Sequence, residues 1–196
     1  MASKKQITRD DILPMEKYAA VRKQLRQELR PHKRARQVPI GPVATATFES
    51  YDSMWHQVHE MLFIERGGEA QIPDELEAYN PLIPKGRELV ATVMFEIDDR
   101  PRRQAFLAKL GGVEETMFLH FAGEEVVGRP EADVDRSTAD GKASSVQFVH
   151  FPFTDAQVEA FRRPGTEVVI GFTHPQYAHM TVMPEETRQA LAADFD

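Results

Sequence analysis

At 196 residues with a formal net charge of −7, the chain can bury roughly two thirds of the surface its unfolded form exposes, so one domain with a true core is expected. The absence of cysteine excludes disulfides, thiolate nucleophiles and Cys-ligated zinc or iron–sulfur clusters, and leaves histidine, carboxylate and carbonyl oxygen as the only metal donors. With 41% apolar and 28% charged residues and no apolar run near the ~20 residues that span a bilayer, no membrane span is expected.

The amino-terminal MASKKQITRDD is charged from its fourth residue and lacks the apolar segment of a secretory signal, which predicts a cytoplasmic protein. Thr8 can cap a helix that places Ile12, Met15, Tyr18, Val21, Leu25 and Leu29 on one apolar face. Its other face carries Arg22, Lys23, Arg26 and Arg30 and continues past Pro31 into Lys33, Arg34 and Arg36. Residues 1–36 form a basic arm of net +7, and residues 37–196 an acidic body of net −14. Opposite potentials attract over about 8 Å in physiological salt, so the arm is expected to lie across the acidic body of its own chain or of a partner subunit. Without interleaved aromatics in an acidic protein, a solvated helix face is preferred to a nucleic-acid surface.

RQVPIGPVATATFES, with two prolines and alternating β-branched residues, predicts an edge strand or hairpin. A helix follows, capped by Asp52 or Ser53 and stopped at Gly67-Gly68. PDELEAY is a short helix opened by Pro73, and NPLIPKG a proline-fixed connector. ELVATVMFEI is apolar on both faces, Glu96 excepted, and is placed centrally in a sheet. DDRPRRQAFLAKLGG predicts a capped helix, and ETMFLHF-AG-EEVVG a hairpin. Residues 129–144 read as a long mobile loop. SSVQFVHF is a strand, TDAQVEAFRRPG a helix with a Thr154/Gln157 capping box, TEVVIGFTHPQYAHMTVM two strands around a turn at Pro175, and PEETRQALAADF a closing helix. Strands and helices mix without regular alternation. The fold class is therefore α+β: one domain over 1–196 with a mixed or mainly antiparallel sheet, flanking helices and a basic N-terminal helix.

Two histidine constellations can carry chemistry. In YDSMWHQVHEM, Met54, Val58, Met61, Leu62 and Glu65 share one helix side, and His56, His59, Glu60 and Phe63 the opposite one. That second side is either half of a metal site or the solvated face of a surface helix. Glu65 is expected at an exposed helix end. In THPQYAH, His174, Tyr177 and His179 bracket Pro175 and can converge at one sheet end. His120 and His150, on alternating strands, are read as hydrogen-bonded core histidines. Nucleophile elbows and phosphate-cradling glycine loops are absent from the sequence.

ITRDDILPMEKY, QVHEMLFIE, ELEAYNPLIPKG, SSVQFVHF and HPQYAH together resemble an uncharacterised bacterial family, domain of unknown function 3501, over almost the whole chain. The resemblance implies a single-domain cytoplasmic protein encoded beside rubrerythrin-like and iron–sulfur proteins, hence a link to redox or metal physiology. In the family pattern the stretch around residue 57 reads Gln-Val-Gln-Glu-Met, so Gln57, Glu60 and Met61 match while His59 replaces Gln; His150 replaces Arg. Glu60, His174, Tyr177 and His179 are then the favoured site residues.

Two main functional expectations follow. In one, His174, His179 and Glu60, with Glu96, His56 and His59 as alternates, hold iron, manganese or zinc at 2.0–2.2 Å ligand distances, about the range for zinc, beside Tyr177 and Gln57 as binding residues. In the other, Arg22, Arg26, Arg30, Lys33 and Arg34 dock a non-enzymatic accessory subunit on an acidic redox protein or on its own homodimer mate. A metal-free enzyme with a pocket around Glu96, Glu60 and Tyr177 is a third expectation.

Overall fold

The doubly apolar strand ELVATVMF takes the central place its sequence predicts. In a computed structural model describing residues 4–131 and 142–196, it forms β3 (Glu88–Phe95). It is the third of five strands, in the order β1 (Gln37–Ile40), β2 (Ala44–Phe48), β3, β7 (Val146–Pro152), β6 (Arg129–Pro130). Every neighbouring pair is antiparallel, with Ala91 opposite Phe48 on one side and Val149 on the other. A second antiparallel sheet runs β5 (Glu124–Val127), β4 (Met117–Phe121), β8 (Val168–Phe172), β9 (Met180–Val182).

Leu89, Ala91, Val93 and Phe95 face this second sheet and share one core with its Met117, Leu119, Phe121, Val168, Ile170 and Phe172. Helices α4 (Arg100–Leu107), α5 (Asp155–Arg162) and α6 (Glu185–Ala192) add Leu107, Phe161 and Leu191 to that core. On the opposite face, Val90 and Phe148 meet Met54, Val58 and Leu62 of α2 (Tyr51–Glu65), Ile72 of α3 (Ile72–Tyr79), and Ile7 and Ile12 of the N-terminal segment. The 20-residue α1 (Met15–Arg34) lies on α2 as the outermost layer. Each buried Val, Leu or Phe contributes roughly 1.5–3 kcal/mol, so a one-residue slip of β3 would forfeit several such terms. Both the α+β class and the antiparallel sheet agree with the sequence.

Local chemistry moves several boundaries. Pro14 biases Leu13 away from the helix, so α1 starts at Met15 and Thr8 caps only a 3-10 turn, Arg9–Asp11. Ser50, not Asp52 or Ser53, caps α2: its Oγ accepts from Ser53 N at 3.2 Å, and Ser53 Oγ accepts from Ser50 N at 2.9 Å. Arg66 ends that helix in the left-handed region with φ 57°, ahead of the two glycines. Ala122 and Gly123, with φ 50° and 79°, make the β4–β5 turn. Arg129–Pro130 is a short strand rather than loop, and among the described residues it lies at the sheet edge, where proline is tolerated. The loop expectation for residues 132–141 falls outside the described residues.

Candidate functional site

The second side of α2 is not wet. His56 and His59 do oppose Met54, Val58 and Leu62, but α1 covers them, and they are 9% and 0% exposed. His59 spends both ring nitrogens: Nδ1–H donates to Trp55 O at 2.7 Å and Nε2 accepts from Leu13 N at 3.0 Å. That pairing fixes a neutral tautomer, and burial pushes the pKa down. The imidazole is further held between the rings of Trp55 and Tyr18, at 3.9 and 4.9 Å. It has no lone pair left for a metal.

Glu60 joins the two helices. Its Oε1 accepts from the Tyr18 hydroxyl at 2.6 Å and from Arg22 Nε at 2.8 Å, and its Oε2 from Arg22 Nη2 at 2.8 Å. The Arg22 guanidinium, helped by Tyr18, holds the Glu60 carboxyl down to about 2, while burial and Glu60 push the Tyr18 hydroxyl up. Arg22 also lies 4.7 Å over the Phe63 ring. Beside this fork, His56 Nε2 is buried without a hydrogen-bond partner, 4.0 Å from Glu60 Oε1. Burial lowers the His56 pKa, with Glu60 opposing. Here the helices part into a cleft of about 280 Å³, with Leu25, Leu29 and Trp55 as apolar walls and Glu28, His32, Asp52 and His56 as polar ones. His32 Nε2 lies 2.9 Å from Ser50 Oγ, and burial lowers its pKa too.

The proline turn is built differently from its expectation. His174 Nε2 lies 3.3 Å from Gly111 O and its Nδ1 accepts from Gln176 N at 3.2 Å; His179 is exposed, its ring against Tyr177 and over Gly41. Glu60 is on α2, beyond the five-stranded sheet. The His174, His179 and Glu60 set is thus not assembled, and among the described residues no group of three or more His, Asp or Glu is placed to hold a metal ion. Glu96 is exposed and accepts from Thr45 Oγ1 at 2.6 Å, so it does not share a pocket with Glu60. Gln57 is half-buried on α2, near the Tyr79 hydroxyl. The exposed Glu65 accepts from Gln71 Nε2 at 2.7 Å, and His120 is exposed rather than core.

The most specific motifs clasp backbone. In AYNPLIP, the Asn80 amide donates to Ile7 O at 2.9 Å and accepts from Ile7 N at 2.7 Å, pinning the N-terminal segment as a neighbouring strand would. In HPQYAH, the Tyr177 hydroxyl donates to Ile40 O at 2.6 Å and accepts from Ala44 N at 3.0 Å, locking the β1–β2 turn onto the second sheet. Residues 6–195 match the family model described as a protein of unknown function, DUF3501. The chain belongs to the DUF3501 family. A family-sized fold match agrees: a crystal structure of a novel protein of unknown function from Burkholderia pseudomallei is similar at 36% identity and TM-score 0.90, covering 97% of this chain and 100% of that one. No curated protein matches.

Two polar networks of this DUF3501 fold have no signature in the sequence. Arg36, 3% exposed, donates to Phe48 O and Glu49 O, both at 3.0 Å, and pairs with Asp194. Glu49, also buried, accepts from Ser53 Oγ and Thr92 Oγ1, both at 2.6 Å. The partners of Arg36 are 12 to 158 positions away in the chain, and Thr92 is 43 from Glu49, separations that no local spacing encodes.

His150 lies between two carboxylates, Glu88 Oε2 at 3.0 Å from Nδ1 and Glu131 Oε2 at 2.6 Å from Nε2. Burial pulls its pKa down, but the hydrogen bonds and charges of Glu88 and Glu131 outweigh this and raise it above the ordinary 6.5. A raised folded-state pKa gives stability that is complete below 6.5 and is lost as pH rises through the folded value. The midpoint of urea unfolding should therefore fall as pH rises from about 6.5 upward, and His150→Gln should abolish that slope. His32, His56 and His59, with lowered values, act only below 6.5, where acidification favours the unfolded chain. A midpoint in wild type that is flat above neutrality would contradict the imidazolium clasp.

Proposed function

We propose that the chain is a non-enzymatic docking protein that holds an acidic partner protein against the outer face of α1. One observation carries this reading. Lys23, Arg26, Arg30 and Arg34 are all exposed, fall within about 80° of the helix surface, and among the described residues form no ion pair. Other cations of the basic arm are neutralised within the chain: Lys5 by Asp196, Arg9 by Glu69, Arg22 by Glu60 and Arg36 by Asp194. Lys33 is half-buried at the edge of the stripe. In a chain of net −7, four adjacent cations without carboxylate partners make a local positive field that steers an acidic surface.

The test is affinity capture from nuclease-treated extract with the wild type and with K23E/R26E/R30E/R34E, which turns the stripe from four positive to four negative charges. An acidic protein retained by the wild type at about 50 mM salt, released by about 300 mM, and bound at least about tenfold more weakly by the variant is expected. Retention that ignores both salt and charge reversal overturns the proposal, as does a dependence on nucleic acid.

A further inference from the structure

We infer that the cleft between α1 and α2 is a binding site for a small organic cation, an ammonium group carried on an apolar or aromatic body. This goes beyond the docking role and uses the opposite side of α1. The lining decides the sign of the ligand. Among the described residues, the only formal charges lining it are the carboxylates of Glu28 and Asp52, both exposed, and no lysine or arginine lines it. An anion entering here would meet two like charges with no lining cation to offset them.

The remaining polar groups suit an ammonium donor. His32 and His56 are kept uncharged by burial, and a neutral imidazole can accept where an imidazolium cannot. The His56 ring lines the cleft, while its unpartnered Nε2 is buried 4.0 Å from Glu60 Oε1. Trp55 spends its N–H on Asp11 O at 2.9 Å. What the indole offers the cleft is therefore ring surface, which attracts cations and apolar bodies alike. Leu25 and Leu29 supply the opposing apolar wall from α1. At about 280 Å³ the space suits a molecule at the small end of ligand pockets.

Trp55 is the only tryptophan in the chain, so its fluorescence reports the cleft directly. Wild type and E28Q/D52N are titrated with 2-phenylethylammonium and with spermidine, and with phenylacetate and 2-phenylethanol as the anionic and uncharged counterparts. A saturable change with at least one amine at a Kd below about 1 mM is expected, weakened about tenfold by E28Q/D52N and absent with phenylacetate. Both substituted positions are exposed, and circular dichroism confirms that the variant is folded. No saturation by either amine up to about 10 mM, equal affinity for phenylacetate, or an affinity unchanged in E28Q/D52N overturns the inference. Reversing the outer stripe tests the docking role separately: a chain that loses its acidic partner and still binds the amine separates the two sites.

Discussion

Arg36→Met is expected to destabilise the protein by about 3–5 kcal/mol, as removal of one member of a buried ion pair does. The guanidinium donates to both Phe48 O and Glu49 O, and it ties β2 to Asp194 behind α6. Methionine fills a similar volume and donates nothing, so two carbonyls and a carboxylate lose their partner together. Burial already pushes the Asp194 pKa up against the pull of Arg36. Without the arginine that carboxyl takes up a proton or turns toward water, and this relaxation limits the loss. For a chain of this size the thermal midpoint should fall by roughly 10 °C. Adding Asp194→Leu should restore part of it, because the orphaned carboxylate goes as well. A midpoint within about 2 °C of wild type would show that the network contributes little.

Tyr18→Ala should have an effect of similar size, about 3–5 kcal/mol, but one confined first to α1. Tyr18 is 0% exposed, packs against the rings of Trp55, His56, His59 and Phe63, and donates to Glu60. A 20-residue helix with a strongly cationic face is marginal in isolation, so α1 persists because α2 receives it. Hydrogen exchange should then accelerate across α1 while the amides of β3 stay protected. Tyr18→Phe, which keeps the ring and loses the hydroxyl, should cost only about 1 kcal/mol. Uniform acceleration in β3 and α1 alike would mean that the helix layer and the sheets unfold as one unit. Both the outer stripe and the inner cleft belong to α1, so the Tyr18→Ala chain should also lose both proposed binding activities.

The parts of the fold that were legible in the sequence were those dictated by near neighbours. The doubly apolar run of β3, the Thr154/Gln157 box of α5 and the β4–β5 turn each depend on groups within a few positions, and each stands where expected. Ser50 shows the limit of that reasoning. The expected caps Asp52 and Ser53 lie within three residues of it, and which residue is used depends on where the chain leaves β2. The wheel of α2 separates two opposed sides, yet the second is neither a metal site nor a solvated face, because α1 occupies it. Periodicity reports that a face differs from its opposite, not what packs against it. A tyrosine at position 18 and a carboxylate at position 60, 42 residues apart, carry no spacing that links them.

The histidine turn failed for a related reason. Residue types able to bind a metal are equally able to satisfy backbone groups, and only the positions of Gly111 and Gln176 reveal that His174 does the latter. By itself, the sequence determined the fold class, the central strand, the lack of thiol chemistry and the uneven distribution of charge, because these depend on composition and on short-range pattern. Tertiary structure alone decided which charges are neutralised, which imidazoles are spent and which stripe and cleft of α1 remain available, because burial and partner choice are set by contacts between residues far apart in the chain.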